Sequence, residues 1–243
     1  MMSLIVSTRR LRRGVALCGA VLGGAVCPLP LTPDASAADS TYLVSFRQIP
    51  VATQFVSRVE EDGLITIATR FAAAMPVFTA VHRYSEELTV TFRPGDGAVT
   101  QCRALRVDGG KRVEVEGNAG DDGSLVVYRR DNHGVVTNTY PAGSYDLHSL
   151  IHYALPPSDY LTTNSPARML DIARGEVVPV EITGISEART FERQVHTNMH
   201  LIWKSGHHTS ESWHTERLGY LPDPFVRQTE NGDFVFELQA PVR

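Results

Sequence analysis

Histidine is the residue type with the most uneven distribution along this chain. Five of its nine histidines lie in the last fifth of the sequence. Successive side chains of a β-strand point to opposite faces, so His196 and His200 are predicted to share one face of a strand. A turn at 205–207 would place Asn198 opposite His214 and bring a third imidazole to that face. Three imidazoles could bind zinc, copper or nickel and leave one coordination position open.

The same histidines also suit a solvent-facing sheet surface, where they would pair with Glu211 and Glu216. Strand spacing is a much weaker metal signal than a C-x-x-C pair. We therefore expect metal affinity to be weak or absent and no cofactor to be required. A metal site formed by His196, His200 and His214 is the alternative.

Motifs that identify common enzymes are missing from the sequence. There is no G-x-S-x-G nucleophile elbow, no H-E-x-x-H zinc helix and no phosphate-binding G-x-x-x-x-G-K. Neither Lys111 nor Lys204 has the serine that an S-x-x-K motif requires. Adjacent acidic residues such as Glu60 and Glu61 would point to opposite faces of a strand, so they cannot converge as a glycosidase pair. The chain is expected not to be an enzyme.

Cysteine use sets a further bound. Two of the three cysteines precede residue 38, which leaves Cys102 as the last thiol of the chain. Cys102 lies in an alternating stretch with no histidine or lysine near it in sequence to lower its pKa. A buried structural thiol is therefore expected there, and no disulfide within the chain after residue 38.

The elements that would position these residues are predominantly strands. Segments with period-two alternation recur along the chain, for example ELTVTF at 87–92 and DFVFEL at 233–238. Turn signals such as Glu61-Asp62-Gly63 and Asn231-Gly232-Asp233 separate them. We predict a mainly β, single-domain fold: a strongly bent antiparallel sheet or open β-barrel with one short amphipathic helix.

The predicted helix covers residues 146–154. Leu147, Leu150, Ile151 and Ala154 follow the i, i+3, i+4, i+7 spacing of an apolar helical stripe. His148 and His152 would then lie on its polar side, where solvent exposure is expected. A lone amphipathic helix in a β protein is expected to cover the concave face of the sheet.

The N-terminal residues have the layout of a secretory signal peptide. Four arginines at 9–13 precede an apolar run at 15–26, and Ala35-Ser36-Ala37 supplies an A-x-A cleavage site. The apolar run is shorter than the ~20 residues that a membrane-spanning helix needs. We expect a cleaved signal peptide at 1–37, a single domain at 38–243, and a periplasmic location.

Charge argues against a nucleic-acid partner. The first 37 residues hold four of the 23 basic residues and one of the 27 acidic residues, so the remaining chain is net acidic by about seven charges. An acidic surface repels nucleic acid and anionic lipid head groups.

The order of features along the chain resembles a known group of proteins. After the signal peptide and β-meander come Asp146-x-x-Ser149-Leu150, a long strand ending in Leu201-Ile202-Trp203, and a last strand with Phe236-Glu237-Leu238. This looks like the uncharacterised periplasmic proteins whose fold is related to the lipoprotein carriers LolA and LolB. The resemblance implies a half-open β-barrel with a hydrophobic cavity, in some members suited to acyl chains. It brings no catalytic residues, and the histidine-rich stretch departs from the pattern of that group.

The leading hypothesis for function is a non-catalytic periplasmic cell-envelope protein that binds a lipid or acyl chain in a groove of its bent sheet. The predicted ligand-binding residues are Leu147, Leu150, Ile151 and Trp203. The expected partner is thus an apolar small molecule, with peripheral contact to the envelope. One alternative is an envelope assembly or interaction protein whose interior is filled by its own side chains. Another is a histidine-dependent metal-binding protein or metalloenzyme.

Overall fold

The fold is one large, strongly curved β-sheet, as the sequence predicts. The computed structural model describes residues 38–77, 80–154, 157, 166–191, 194–206, 208–215, 218–219, 221–229 and 232–239. The signal peptide predicted at 1–37 lies outside these residues. In the part of the chain that the structure describes, no helix has the length and apolar character needed to cross a membrane.

The strands follow one another with short connections along most of the chain. Their bounds are β1 (Ala38–Phe46), β2 (Ile49–Glu61), β3 (Leu64–Val77), β4 (Ala80–Phe92), β5 (Val99–Asp108), β6 (Lys111–Ala119), β7 (Leu125–Asp131), β8 (Gly134–Tyr140), β9 (Leu147–His148), β10 (Pro166–Asp171), β11 (Glu176–Phe191), β12 (Gln194–Ser205), β13 (His208–Thr215), β14 (Pro222–Thr229) and β15 (Gly232–Leu238). One 3₁₀ turn, η1 (Ile151–Tyr153), lies between β9 and β10.

Strand order explains how the sheet can curl on itself. From one edge to the other the order is β8-β7-β6-β5-β4-β3-β2-β1-β15-β14-β13-β12-β11-β10-β9. Neighbouring strands are antiparallel, except that β9 pairs with β10 in parallel. The first and last long strands, β1 and β15, meet in the middle, so the sheet has two separate arms with free edges at β8 and β9.

Hairpins form where the sequence carries its turn signals. At the β2–β3 turn, Asp62 and Gly63 both have positive φ, at 51° and 74°. Glu61 and Leu64 pair directly across this two-residue loop. Such a turn needs φ > 0 at both central residues, which Asp-Gly adopts more readily than most pairs. The tight turn fixes the register of the two strands it joins.

Alternation along the strands builds the core on the concave face. Tyr42 and Val44 of β1 are fully buried, and so are Val90 and Phe92 of β4. The intervening side chains are more exposed and face outward. Burial of apolar area at about 25 cal/mol per Å² is the main stabilising contribution of this face.

The helix predicted at 146–154 is wrong. Leu147 and His148 instead pair with Met169 and Leu170 as β9. The backbone N–H of Ser149 then donates to the carbonyl of Leu170 at 3.0 Å. Because this N–H is bonded to another strand, it is not available for an intrahelical bond. Only the single turn η1 remains of the expected helix.

Among the described residues, the two arms of the sheet meet through side-chain contacts, and no backbone ladder joins them. Arg129 of β7 donates to a Glu176 carboxylate oxygen of β11 at 2.6 Å. The Tyr140 hydroxyl of β8 donates to the Gly175 carbonyl at 3.1 Å. We call this contact region the seam. It joins the arms while leaving the sheet unclosed.

The space around Gly175 shows how tightly the seam is packed. Gly175 has φ +66°, and a Cβ there would lie 2.9 Å from methyl groups of Val115 and Val127. Valine side chains are stiff, so they cannot easily move aside. Gly63 has a similar φ of +74° and no atom within 4 Å of its would-be Cβ, which makes it a matched control.

We predict that Gly63→Ala lowers the free energy of unfolding by about 1–2 kcal/mol, the cost of the left-handed backbone. Gly175→Ala should lower it by about 1–3 kcal/mol more, because overpacking adds to the same backbone cost. Urea unfolding of both variants measures the difference. Equal losses would contradict a tightly packed seam.

Candidate functional site: the concave interior

A segment between β8 and β10 crosses the concave interior of the sheet. We call residues 145–154 the inner segment. The ring of His148 lies 4.4 Å from that of Phe92, centroid to centroid. Tyr153 meets Tyr42 edge-on at 5.8 Å. Because these partners belong to different strands, β4 and β1, the inner segment fills one end of the interior, which we call the packed end.

The four predicted ligand-binding residues all lie in this interior. Leu147, Leu150, Ile151 and Trp203 are 2%, 4%, 1% and 8% exposed. Leu147, Ile151 and Trp203 pack together in one apolar cluster. Leu150 packs instead into the larger cluster formed by the rest of the sheet. The structure thus brings three of the four together and buries all of them.

Two histidines of the inner segment are buried, contrary to the expected solvent exposure. His148 is 0% and His152 is 8% exposed. Neither ring nitrogen of His148, nor Nε2 of His152, has a hydrogen-bond partner among the described residues. Burial lowers the pKa of His148 to about 3. Burial, with the neighbouring His214, Arg227 and His148, also holds the pKa of His152 well below its ordinary value.

These neutral histidines predict that the protein loses stability in acid. Their pKa values are lower in the folded chain than in the unfolded chain, where histidine titrates near 6.5. The unfolded state therefore binds more protons as the pH falls from about 6.5 toward 3. His148 makes folding stability drop in that window by about 1.4 kcal/mol per pH unit, and His152 acts in the same direction.

We predict that His148→Leu removes one histidine's share of this slope without a loss at neutral pH, because an unsatisfied buried ring nitrogen is itself costly. The exposed His133, replaced by Asn, is the control and should leave the slope unchanged. Urea unfolding at pH 7.5, 6.0 and 4.5 tests this. An unchanged slope in His148→Leu would show that this ring is not buried as a neutral base.

Strands β12 and β13 form the hairpin that carries His200 and His214, which we call the histidine hairpin, and its register differs from the predicted one. The structure pairs Ser205 with His208, so the turn has two residues and not three. His200 consequently faces Trp213, and Met199 faces His214. A one-residue change of register moves a side chain to the other face of the sheet. His200 and His214 therefore lie on opposite faces.

Each of these two histidines has a specific polar partner. His200 stacks on Trp213 at 4.4 Å on the convex face, and its Nε2 lies 3.0 Å from a Glu211 carboxylate oxygen. His214 is fully buried, and its Nε2 lies 2.9 Å from the Ser212 hydroxyl. The side chain of His196 lies outside the described residues. Among those described, no three His, Cys, Asp or Glu side chains are grouped so that they could hold a metal ion.

Cys102 occupies a structural position. It is 1% exposed and pairs across β5 and β6 with Gly117. A Cβ on Gly117 would lie only 2.5 Å from the Cys102 sulfur, so the thiol fills the space that a side chain would need. Burial raises the pKa of this thiol to about 12. The unreactive thiol that the sequence predicts is what such an environment favours.

Exposure of the inward side chains rises from the packed end to the opposite end of the sheet. Along β4, Phe92 and Val90 are fully buried, while Tyr84 and Glu86 on the same face are partly exposed. Along β1, Val44 is fully buried and the inward side chain at the strand's end is partly exposed. We call this second end the open end.

One row of inward side chains crosses the open end. Direct cross-strand pairing links its members in order, from β12 through β13, β14 and β15 to β1: Trp203, Ser210, Arg227, Phe234 and Phe46. The aromatic rings of Phe46 and Phe234 lie 4.8 Å apart. This inner row combines three aromatic rings with a single positive charge.

Arg227 is the unusual member of the inner row. It is exposed to solvent although its strand neighbour on the same face, Phe225, is only 6% exposed. Solvent reaches the side chain, but protein surrounds its guanidinium on several sides, and the resulting desolvation acts to lower its pKa. Glu86, Tyr84, Tyr153 and Asp171 act in the opposite sense and raise the pKa overall. These groups come from other walls of the interior, so Arg227 extends into the space that the sheet encloses.

The negative groups around Arg227 already have other partners. The Tyr84 hydroxyl donates to the Glu86 carboxylate at 2.7 Å. Asp171 accepts hydrogen bonds from the backbone N–H groups of Ala173 and Arg174. Burial first, then the Glu86 charge, raises the pKa of Tyr84 well above its ordinary value. The open end therefore offers a guanidinium whose neighbouring carboxylates are engaged elsewhere.

The predicted site residues did not include these polar residues of the open end. The signal was present, because Arg227 has the same strand parity as Phe225 in the stretch FVRQT. A charged side chain at an inward position of a strand departs from simple alternation and marks a functional candidate.

Comparison by sequence finds no matching family model and no matching curated protein. Comparison of the fold finds a solved structure described as a beta-barrel-like protein of the domain of unknown function DUF1849, from Brucella abortus. It has a TM-score of 0.59 and 8% sequence identity, over 84% of this chain and 95% of that one. At this identity the likeness shows a shared β-barrel-like fold alone.

Proposed function

We propose that the protein is a non-catalytic binding protein that holds a lipid acyl chain or a similar apolar molecule in the open end of its curved sheet. The supporting observation is the inner row, where two aromatic side chains on the concave face, Phe46 and Phe234, are partly exposed. Apolar side chains at inward positions are ordinarily buried. Their exposure here leaves a concave surface that an apolar ligand would cover.

The buried residues predicted from sequence contribute to this proposal as the floor of the site. Trp203 belongs both to the inner row and to the apolar cluster of Leu147 and Ile151. A ligand that enters at the open end would contact Trp203 and then meet the inner segment. Burial of each methylene contributes about 0.8 kcal/mol, so a chain of about ten carbons could offset the cost of association.

Filling the open end should block such a ligand. Ala52 lies on β2 facing the interior, paired between Val44 and Ala73, and its neighbour Thr53 is exposed on the outer face. We predict that Ala52→Trp weakens binding of the neutral dye N-phenyl-1-naphthylamine by about tenfold or more. Thr53→Trp, the same substitution one residue along the strand, should leave binding unchanged.

Fluorescence titration of the dye measures both affinities, and circular dichroism confirms that each variant is folded. Ala52→Phe, a smaller change, should give an intermediate loss. If the folded wild-type protein binds neither the dye nor any lipid detectable by native mass spectrometry, the proposal fails. The interior would then be filled by its own side chains, as an assembly or interaction protein requires.

Export to the periplasm is part of the same proposal. Its support is the arrangement of basic, apolar and small residues in the first 37 positions. We predict that the chain isolated from the periplasm begins at or next to Ala38, because the A-x-A site precedes it. Intact-mass measurement of that material checks the cleavage. A chain that retains Met1 in the envelope fraction would refute it.

A further inference from the structure

In the part of the chain that the structure describes, Arg227 does not hold two elements of the fold together. Among the described residues, no hydrogen bond or ion pair involves its guanidinium. By contrast, Arg129, at the seam, contacts both Glu176 and Asp131. An arginine that extends into an enclosed space without a contact partner retains five N–H donors for another molecule.

Its surroundings define the chemistry of that molecule. Phe234 lies beside Arg227 in the inner row, and Phe225 lies two residues earlier on the same face. Trp203 is two strands away in the same row. A ligand at this position would therefore contact the N–H donors of the guanidinium next to an aromatic surface. This combination suits a molecule with an anionic head and an apolar chain.

The nearby carboxylates do not accept hydrogen bonds from the Arg227 guanidinium. The Glu86 carboxylate accepts a hydrogen bond from the Tyr84 hydroxyl, and Oδ2 of Asp171 lies 3.5 Å from Nε of Arg174. They interact with Arg227 only across a distance. Arginine binds carboxylate and phosphate groups in a bidentate manner, and such charge-assisted bonds are stronger than neutral ones.

We propose that Arg227 binds the anionic head of a single-chain amphiphile, a carboxylate or a phosphate monoester, while the alkyl chain lies against Phe234, Phe225 and Trp203. This inference rests on the proposed function and makes it specific. The guanidinium fixes the position of the head, and the aromatic surface accommodates chains without directional contacts. The ligand class is thus defined by its head charge more strictly than by its chain.

Ligands that share a ten-carbon chain separate the two parts of the proposal. The comparison uses decanoate, decyl phosphate, decanol and decyltrimethylammonium, each below its micelle concentration, with calorimetry or displacement of N-phenyl-1-naphthylamine. We expect each anion to bind about tenfold or more tightly than decanol, as a charge-assisted hydrogen bond implies. The cation should bind more weakly than decanol.

Arg227→Met tests whether this residue causes the preference. It should bring the anions to the affinity of decanol and leave decanol itself unchanged, while Arg227→Lys should keep part of the preference. The control is Arg70→Met, which removes the same charge from the convex face, where Arg70 lies exposed over the Phe55 ring. It should retain the full preference.

The outcomes distinguish this inference from the function on which it rests. Equal affinity of decanoate and decanol, or a preference that survives in Arg227→Met, overturns the head-group site and leaves chain binding intact. Loss of decanol binding in Arg227→Met would assign the residue a structural role and also overturn it. Binding of none of the four ligands removes the proposed function itself. If decyl phosphate binds more tightly than decanoate, the head-group site is supported and its preferred head is a phosphate monoester. If decanoate binds more tightly, the site is also supported and its preferred head is a carboxylate.

Discussion

The rest of the structure depends on one constraint: a long antiparallel sheet must bury its apolar face, and its strands alone do not fill the space that they enclose. β1 and β15 join the two arms at the centre, and the arms curl until their edges approach. The inner segment then occupies one end of the interior. Its side chains meet strands from both arms, so it takes the place of the second sheet that a sandwich would use.

Placing a loop segment inside the sheet explains the polar groups found there. A segment without a regular pattern carries side chains on all sides, so His148 and His152 are buried together with the leucines. The hydroxyl of Tyr42 is likewise buried without a hydrogen-bond partner among the described residues. Each such group costs free energy. The apolar contacts of the core must offset these costs, which makes the packed end sensitive to protonation.

How far the fold could be predicted follows from which interactions are local. Asp62-Gly63 specifies its own turn, and the alternation of β4 specifies its own buried face, so both were evident in the sequence. The conformation of the inner segment was not evident, because its apolar spacing fits a helix while its backbone pairs with β10. That strand lies about 20 residues later in the chain. The predicted register of the histidine hairpin was wrong because of a single residue. Whether Ser205 belongs to the turn or pairs with His208 reverses the face of every residue on β13.

The seam also determines how the interior can change its volume. Elsewhere, separating two strands would break a ladder of backbone hydrogen bonds, whereas among the described residues β7 and β11 are joined by the Arg129–Glu176 pair and by apolar packing. An Arg–Glu pair that is partly exposed contributes little, about 0–1 kcal/mol. The backbone of Gly175, however, lies close to the buried side chains of Val115 and Val127, so separating the arms would also expose apolar surface. The apolar packing at the seam therefore resists separation of the arms more than the ion pair does, and it limits how far the interior can widen.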